Sequence, residues 1–271
     1  MPTPAPIGVF DSGIGGLSVL RALLGELPHE RFVYLADNAH APYGQRGDDY
    51  VLARSRAVLH ELVGGHRIKA LVIACNTATA AAVHLLRAEW PQLPIVGIEP
   101  ALKPALAHTR TGHVAVLATH GTLASGKFQT LRQTLGSTAR VTLMACNGLA
   151  DAIEKEAVSA DPTGADALIG QYLSALGPLG DAPGHIDTVV LGCTHYPLAA
   201  AQFQAQLAGR AVTLIDPAHA VARRTADVLA AHAPTGASAR ASANRTRVQL
   251  LSSGSAAGLQ AAAERWLSLR T

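Results

Sequence analysis

Several residue types that are typical of particular protein classes are scarce in this chain of 271 residues. It has 3 cysteines, an odd number and too few for the disulfide framework of a secreted domain, so we expect reduced thiols and a cytoplasmic protein. No apolar run reaches the roughly 18 residues that a membrane span requires. The first residues, MPTPAPIGVF, also lack the features of a signal peptide. We therefore predict no membrane partner.

Charged residues are scarce as well. Asp, Glu, Lys and Arg make up 15% of the chain, and the net charge is +3. Lys and Arg are scattered, whereas a nucleic-acid-binding protein concentrates them in a basic patch. No nucleic-acid partner is therefore predicted. Hydrophobic residues reach 49%, which supports a large buried core and excludes a disordered chain.

The chain does contain a regular alternation of short apolar runs and longer helix-patterned segments. The runs predicted to be strands are residues 7–10, 32–36, 70–74, 95–97, 114–117, 141–145, 188–191, 212–215 and 248–251. Helical patterns lie between them, as at 17–24, 49–63, 77–90, 165–176, 198–207 and 220–231. Most runs are continuously apolar, which predicts α/β architecture with mainly parallel sheets and helices on both faces. Proline and glycine predict loops, one of them over 99–104.

Two segments share one pattern. LVIACNTA (71–78) and VVLGCTHYPL (189–198) each lead from a predicted strand into a cysteine, polar residues and a predicted helix, whose N-terminus favours a thiolate. The cysteines, Cys75 and Cys193, lie 118 residues apart. This repetition predicts two pseudo-symmetric domains, residues 1–98 plus 211–271 and residues 99–210, with the active site in the cleft between them.

A glycine-rich segment, GVFDSGIGGLSV (8–19), follows the first strand. Ser18 stands where the third glycine of a dinucleotide fingerprint would be, and Asp11 would repel a pyrophosphate. Nucleotide binding is therefore not predicted. The segment instead brings Asp11 and Ser12 to the ligand-binding edge of the sheet, beside a helix N-terminus that favours carboxylates.

The residue pattern alone leaves four uses of Cys75 and Cys193 open. A disulfide pair in the cytosol normally has C-x-x-C spacing, and a metal site with His195 matches zinc spacing poorly, so no metal is predicted. A nucleophile served by His195 would make a thiol hydrolase. Two acid–base groups on opposite faces of one carbon would alone require thiols in mirrored positions. Cys146, in LMACNGLAD, is interpreted as a buried core residue.

The chain resembles the glutamate racemases of the cofactor-independent aspartate/glutamate racemase family along nearly its whole length. The segments that carry the resemblance are FDSGIGGLSV (10–19), LADNAHAPYG (35–44), ACNTATA (74–80), IEPALKPA (98–105) and LGCTHYPL (191–198). Aspartate racemases usually carry an acidic residue where this chain has His195. The resemblance therefore favours glutamate as the substrate.

The resemblance implies that Cys75 and Cys193 are the two proton donors and acceptors, with Cys75 deprotonating D-glutamate and Cys193 L-glutamate. The residues that it implies for substrate contact are Asp11, Ser12, Tyr43, Gly44, Asn76, Thr77, Thr194 and His195. Asp11 and His195 would assist their neighbouring thiols. Thr119 and Glu154 occupy places that often line the cleft in relatives.

The resemblance also implies a homodimer that needs no cofactor and supplies D-glutamate for peptidoglycan. None of the four lysines, Lys69, Lys103, Lys127 and Lys155, lies in the two cysteine segments or the glycine-rich segment, whereas a pyridoxal enzyme needs a Schiff-base lysine. Three alternatives stay open: an aspartate or hydantoin racemase, a thiol-dependent hydrolase, and a non-catalytic two-lobed protein that binds amino acids.

Overall fold

The computed structural model describes residues 5–135, 139–159, 163–232 and 247–267. The chain divides into two compact units, Met1–Ile98 with Ala218–Thr271, and Glu99–Pro217. Each unit contains one sheet, and every pair of neighbouring strands is parallel. The predicted α/β class with mainly parallel sheets is therefore confirmed.

The strands of the described residues are β1 (Ile7–Asp11), β2 (Phe32–Ala36), β3 (Ala70–Ile73), β4 (Ile95–Gly97), β5 (His113–Ala118), β6 (Arg140–Ala145), β7 (Thr188–Leu191), β8 (Thr213–Ile215) and β9 (Val248–Ser252). Every predicted strand is present, and its ends agree with the prediction within one residue. Continuous apolar runs predict strands well here because β1, β2, β3 and β7 are buried along their whole length.

The α-helices of the described residues are α1 (Leu17–Glu26), α2 (Asp48–His66), α3 (Asn76–Glu89), α4 (Leu102–His108), α5 (His120–Ala124), α6 (Gly126–Thr134), α7 (Leu149–Ser159), α8 (Thr163–Ala175), α9 (Ala200–Gln206), α10 (Ala218–His232) and α11 (Ala256–Leu267). Short 3-10 helices span Asn38–His40, Tyr43–Gln45 and Tyr196–Ala199. Among the helices of the described residues, none combines the length and the apolar character needed to cross a bilayer.

The two sheets share one strand order. The first sheet runs β4-β3-β1-β2-β9, and the second runs β8-β7-β5-β6 when read in the same direction. In each unit the first strand therefore lies between the third and the second, and the fourth lies beyond the third. Ligands of open parallel sheets bind at the carboxyl ends of the strands where the order reverses, which here is between the first and third strands. Cys75 and Cys193 both follow a third strand.

Apolar side chains from strands and helices form the core of each unit. Phe10, Leu59 and Ile73 belong to a buried cluster of the first unit, and Leu117, Val189 and Phe203 to one of the second. The strand β9 pairs with β2, so the end of the described chain completes the first sheet. The core of each unit thus holds its third strand, which is β3 in the first unit and β7 in the second.

The loop predicted over 99–104 is partly wrong, because α4 begins at Leu102 and includes Pro104. Proline lacks an N–H donor, but the first turn of a helix has no intrahelical acceptor for that donor. Pro104 is the third residue of α4 and therefore costs the helix little. Leu102 and Ala105 are buried and pack α4 into a cluster of apolar side chains in the second unit.

Candidate active site

Cys75 is the N-cap residue of α3. Its Sγ accepts a hydrogen bond from the N–H of Ala78 over 3.4 Å. The N–H of Ala74 donates to the carbonyl oxygen of Phe10, which ties the end of the third strand to the end of the first. The sulfur thus satisfies one unpaired N–H of the helix, and the partial positive charge of the helix terminus stabilises a thiolate. The predicted position of this thiol at a helix N-terminus is confirmed.

Asp11 ends β1, and Ser12 follows it directly. The carboxylate of Asp11 is fully buried and accepts a hydrogen bond of 2.7 Å from the N–H of Gly13. The hydroxyl oxygen of Ser12 lies 3.6 Å from the sulfur of Cys75. A methyl group on Gly16 would lie 2.7 Å from the Cβ of Asp11, so glycine is needed where the loop approaches the strand end. The structure therefore brings Ser12 into contact with the thiol.

Asn76 and Thr77 form the first turn of α3 and are buried. Among the described residues, neither Oδ1 nor Nδ2 of Asn76 has a hydrogen-bond partner. Buried polar groups are bonded in the great majority of cases, and an unsatisfied one costs about 1–3 kcal/mol. The amide of Asn76 is therefore suited to a polar ligand at the N-terminus of α3.

Tyr43 and Gly44 lie in the 3-10 helix Tyr43–Gln45. The hydroxyl of Tyr43 donates a hydrogen bond of 2.6 Å to Asp37, which also accepts two bonds from Arg54. Burial and the Asp37 anion raise the pKa of Tyr43. Burial alone would raise the pKa of Asp37, but the bonds from Arg54 and Tyr43 lower it. Tyr43 is therefore a neutral phenol that donates a hydrogen bond to the carboxylate of Asp37.

In the second unit, Cys193 follows β7 and Gly192. The N–H of Gly192 donates a 2.7 Å hydrogen bond to the carbonyl oxygen of Leu117, and a methyl group at 192 would lie 2.8 Å from that oxygen. The helix predicted over 198–207 starts as the 3-10 helix Tyr196–Ala199 and becomes α9 at Ala200. Cys193 is therefore not the N-cap residue of an α-helix, in contrast to Cys75.

His195 contacts both Cys193 and Glu154. Its Nδ1 lies 3.8 Å from the sulfur of Cys193, and its Nε2 lies 2.6 Å from Oε2 of Glu154. Burial alone would lower the pKa of His195, but Cys193 and Glu154 raise it well above the ordinary value. A positively charged imidazole beside the sulfur stabilises a thiolate, as the helix terminus does for Cys75.

Threonines complete the second set of residues. Thr194 follows Cys193 in the chain and precedes His195, and it is buried. Thr119 follows β5 as Ser12 follows β1, and its hydroxyl oxygen accepts a 3.2 Å hydrogen bond from the N–H of Thr122 to cap α5. The carboxyl ends of the first and third strands of this unit therefore carry hydroxyl groups as well as a thiol.

Cys146 differs from the other two cysteines, although all three are free. Burial raises the pKa of Cys146 to about 12, so it is a neutral thiol at physiological pH. This agrees with its interpretation as a core residue. Within the described part of the chain, no cluster of three or more His, Cys, Asp or Glu side chains is placed to hold a metal ion.

The residues predicted from the sequence fall into two groups, one in each unit. The first group is Asp11, Ser12, Tyr43, Gly44, Cys75, Asn76 and Thr77, and the second is Cys193, Thr194 and His195. Sequence reasoning did not find Arg54, because a single arginine within a helical pattern carries no signal of its own. Asp37 had a weak signal, since it follows β2 immediately.

Residues 11–225 match the family model described as Asp/Glu/Hydantoin racemase. The chain is 48% identical over 231 residues to the glutamate racemase of Ectopseudomonas mendocina, a match that covers 84% of this chain and 83% of the relative.

Solved structures agree along nearly the whole chain. The glutamate racemase isoform RacE1 of Bacillus anthracis has a TM-score of 0.81 and 32% identity, covering 98% of this chain and 95% of that one. The Escherichia coli glutamate racemase in complex with L-glutamate and the activator UDP-MurNAc-ala also has a TM-score of 0.81, with 29% identity, covering 97% of this chain and 96% of that one.

Proposed function

This chain belongs to the Asp/Glu/Hydantoin racemase family, and from that membership we propose that it interconverts L-glutamate and D-glutamate without a cofactor. One observation supports the proposal most directly. Each unit carries a buried thiol two residues beyond the last residue of the third strand, in sheets of the same order, and each thiol has its own group that stabilises a thiolate. Core packing alone explains neither the repetition nor the polar neighbours.

In the proposed reaction the two cysteines act on opposite faces of the α-carbon. One thiolate removes the α-proton, so that the C–H bond breaks, an S–H bond forms and the electron pair stays on the α-carbon and its carboxylate. The other thiol then gives its proton to the opposite face and becomes a thiolate. We propose that Cys193 deprotonates L-glutamate and Cys75 deprotonates D-glutamate. Protons balance, and only the charge of the two sulfurs is exchanged.

The groups around each sulfur support this division of work. His195, held by Glu154, provides a positive charge beside Cys193. Cys75 has the N-terminus of α3 and the hydroxyl of Ser12. Both sulfurs are nearly excluded from solvent, Cys75 at 5% and Cys193 at 6% exposure. Exclusion of water strengthens a thiolate as a base.

Removal of an α-proton is difficult because negative charge builds up next to a carboxylate. We propose that Asn76, Thr77 and the N–H groups of α3 bind the substrate carboxylate and stabilise this charge. The amide of Asn76 supports that role, since it has no hydrogen-bond partner within the part of the chain that the structure describes. Donors that are already oriented cost no reorganisation during the reaction.

By the same family relationship we propose that the D-glutamate serves peptidoglycan synthesis. Three buried free cysteines support a reducing compartment such as the cytoplasm.

Circular dichroism of L-glutamate with the purified protein and no added cofactor tests the activity. We expect the signal to decay to zero, and in D₂O the product should carry deuterium at the α-carbon. Cys75→Ser and Cys193→Ser should each lower the rate by about 10²–10⁴-fold, the usual contribution of an acid–base group. Cys146→Ala is the matched control and should stay within a fewfold of the wild type.

The same assay contains an internal check on the kinetics and distinguishes glutamate racemisation from the other racemase activities. Because the two enantiomers have equal free energies, kcat/KM must be equal in both directions for every active variant. Turnover of L-aspartate or a hydantoin in place of glutamate would identify a different racemase of the family. Full activity of either serine variant would refute the two-thiol proposal.

One observation favours a second candidate. The contacts from Cys193 to His195 and from His195 to Glu154 have the order of a nucleophile, a base and an orienting acid, as in thiol hydrolases. This alternative predicts that Cys75 is dispensable and that Cys193 forms a covalent acyl adduct. Mass spectrometry of the intact protein after incubation with activated glutamyl esters would detect that adduct.

A further inference from the structure

Asp37 is the centre of a buried hydrogen-bond network in the first unit. Its side chain is fully buried at the end of β2. Arg54 donates from Nε to Oδ2 and from Nη2 to Oδ1, each over 2.9 Å. Tyr43 donates to Oδ2 over 2.6 Å, and Nδ1 of His40 lies 3.0 Å from Oδ1. Both oxygens of this carboxylate are therefore engaged, and two of the bonds come from one planar guanidinium.

The backbone next to Asp37 is held by contacts that do not involve Arg54, and the hydroxyl of Ser253 also hydrogen-bonds the Asp37 carboxylate. Oδ1 of Asn38 accepts hydrogen bonds from the hydroxyl of Ser252 over 2.8 Å and from the N–H of Gly254 over 2.9 Å. The N–H of Ala39 donates to the hydroxyl of Ser253. Asp37 is thus attached to the sheet through β9. The link from Asp37 to the 3-10 helix Tyr43–Gln45, in contrast, runs through side chains.

Tyr43 connects this network to Cys75. Its ring packs edge-on against Phe10, with the ring centroids 6.2 Å apart. Tyr43, Phe10 and Cys75 belong to one cluster of buried side chains. The N–H of Arg46 donates to the carbonyl oxygen of Tyr43 over 3.0 Å, so that the position of Tyr43 also sets the turn through Gly44.

Arg54 is suited to fix this arrangement. A guanidinium is always charged and binds a carboxylate through two parallel bonds, which sets the orientation of the carboxylate as well as neutralising it. The side chain of Arg54 is 26% exposed, so its charge is partly solvated while Asp37 is not. Without Arg54, the buried carboxylate would lose its permanent counter-charge and two of its oriented donors.

We propose that Arg54 is a positioning residue for substrate binding, acting through Asp37 and the hydroxyl of Tyr43 on the turn that contains Gly44 beside Cys75. The proposal rests on the proposed function, in which Tyr43 and Gly44 contact glutamate. Arg54 itself touches neither of the reacting thiols in this scheme. Its contribution should appear in the KM for glutamate more than in kcat.

The test compares Arg54→Met with Arg56→Met. Arg56 lies on the same helix and also makes a forked pair with a carboxylate, that of Glu89, but at the exposed surface. We expect Arg54→Met to raise the KM by about tenfold, the effect of losing one charge-assisted hydrogen bond, with a smaller change in kcat. Arg56→Met should leave both values within twofold of the wild type.

A double-mutant cycle tests whether Arg54 acts through Tyr43. Tyr43→Phe removes the hydroxyl and should also raise the KM about tenfold, and the double variant should cost no more than the larger single change. The proposal is overturned if the KM of the double variant rises by the product of the two single increases. It is also overturned if Arg54→Met has the same KM as Arg56→Met. Arg54→Lys keeps the charge and loses the fork, and we expect an intermediate KM. If Arg54→Met does not fold, a wild-type KM in Arg54→Lys overturns the proposal.

Hydrogen exchange provides a measurement that does not depend on turnover. The amide of Arg46, which donates to Tyr43, should exchange about tenfold faster in Arg54→Met than in the wild type. The amide of Gly192 in the second unit should not change in the same protein. If the wild type does not racemise glutamate, the proposed function fails while this exchange result still decides the positioning role. Unchanged exchange at Arg46 refutes that role.

Discussion

Nε2 of His195 lies 2.6 Å from Oε2 of Glu154, 41 residues earlier in the chain. The imidazole beside Cys193 is therefore held by a carboxylate from α7, whereas the sulfur of Cys75 accepts a hydrogen bond from the N–H of Ala78 at the N-terminus of α3. The two thiols of this family member thus have different surroundings, a histidine in one unit and a helix N-terminus in the other. This difference determines the first prediction.

Glu154→Gln should lower the pKa of His195, because the amide accepts the same hydrogen bond without providing a negative charge. The raised pKa keeps the wild-type imidazole charged to higher pH, so the variant should lose activity at a lower pH on the alkaline side. We expect a roughly 10- to 100-fold lower kcat/KM at pH 8. The pH dependence of kcat/KM, with Glu89→Gln as the control, measures this. An unshifted alkaline limb would contradict the role of Glu154.

Asn76→Leu should stabilise the protein and impair substrate binding. The leucine replaces a buried amide that has no hydrogen-bond partner in the described ranges, so the free energy of unfolding should rise by about 1–3 kcal/mol while the KM for glutamate increases. Asn38→Leu is the opposite case, because Oδ1 of Asn38 accepts two hydrogen bonds and its loss should destabilise the protein. Urea unfolding and steady-state kinetics give both values. A destabilised Asn76→Leu variant with normal KM would argue against a ligand-binding amide.

Gly192→Ala should displace Cys193. The added methyl group would lie 2.8 Å from the carbonyl oxygen of Leu117, a backbone atom that cannot move aside without disturbing the pairing of β5 and β7. We expect a loss of about 1–3 kcal/mol in stability and at least a roughly 100-fold lower kcat. Gly25→Ala, where the methyl group meets open space in α1, should be neutral or slightly stabilising. Thermal unfolding and circular dichroism of glutamate distinguish the two variants.

Asp187→Asn should destabilise the protein at neutral pH and much less in acid. Burial alone would raise the pKa of Asp187, but hydrogen bonds from the hydroxyl of Thr109 and from the N–H groups of Thr111 and Arg110 lower it to about 2. A lowered pKa gives stability that is present above about pH 4 and lost as the pH falls through about 2.

Urea unfolding of Asp187→Asn at pH 7 and pH 3 measures this effect. At 1.36 kcal/mol for each pKa unit, the loss at pH 7 should be about 2 kcal/mol. At pH 3 the free energies of unfolding of Asp187→Asn and the wild type should differ by less than at pH 7. The control is Asp166→Asn, because Asp166 accepts an exposed hydrogen bond from Gln206. Equal destabilisation at both pH values would show that the charge of Asp187 is not responsible.

The strands and the positions of the two thiols follow from local patterns in the chain. Strands buried on both faces consist of continuous apolar runs, and such runs are visible without any knowledge of distant contacts. Cys75 and Cys193 could be placed at strand ends for the same reason, since each directly follows an apolar run. The glycine loop could be separated from a dinucleotide site because Asp11 and Ser18 are local features.

The hydrogen-bond partners of the side chains around those thiols are visible in the fold alone. The partnership of His195 with Glu154 and that of Asp37 with Arg54 join residues on different elements, and no local pattern specifies such pairs. The unpaired amide of Asn76 is likewise a property of its buried surroundings. Residue type and spacing determine local conformation, whereas hydrogen bonding and the charge of a buried group depend on which distant segments the packed core brings within about 3 Å.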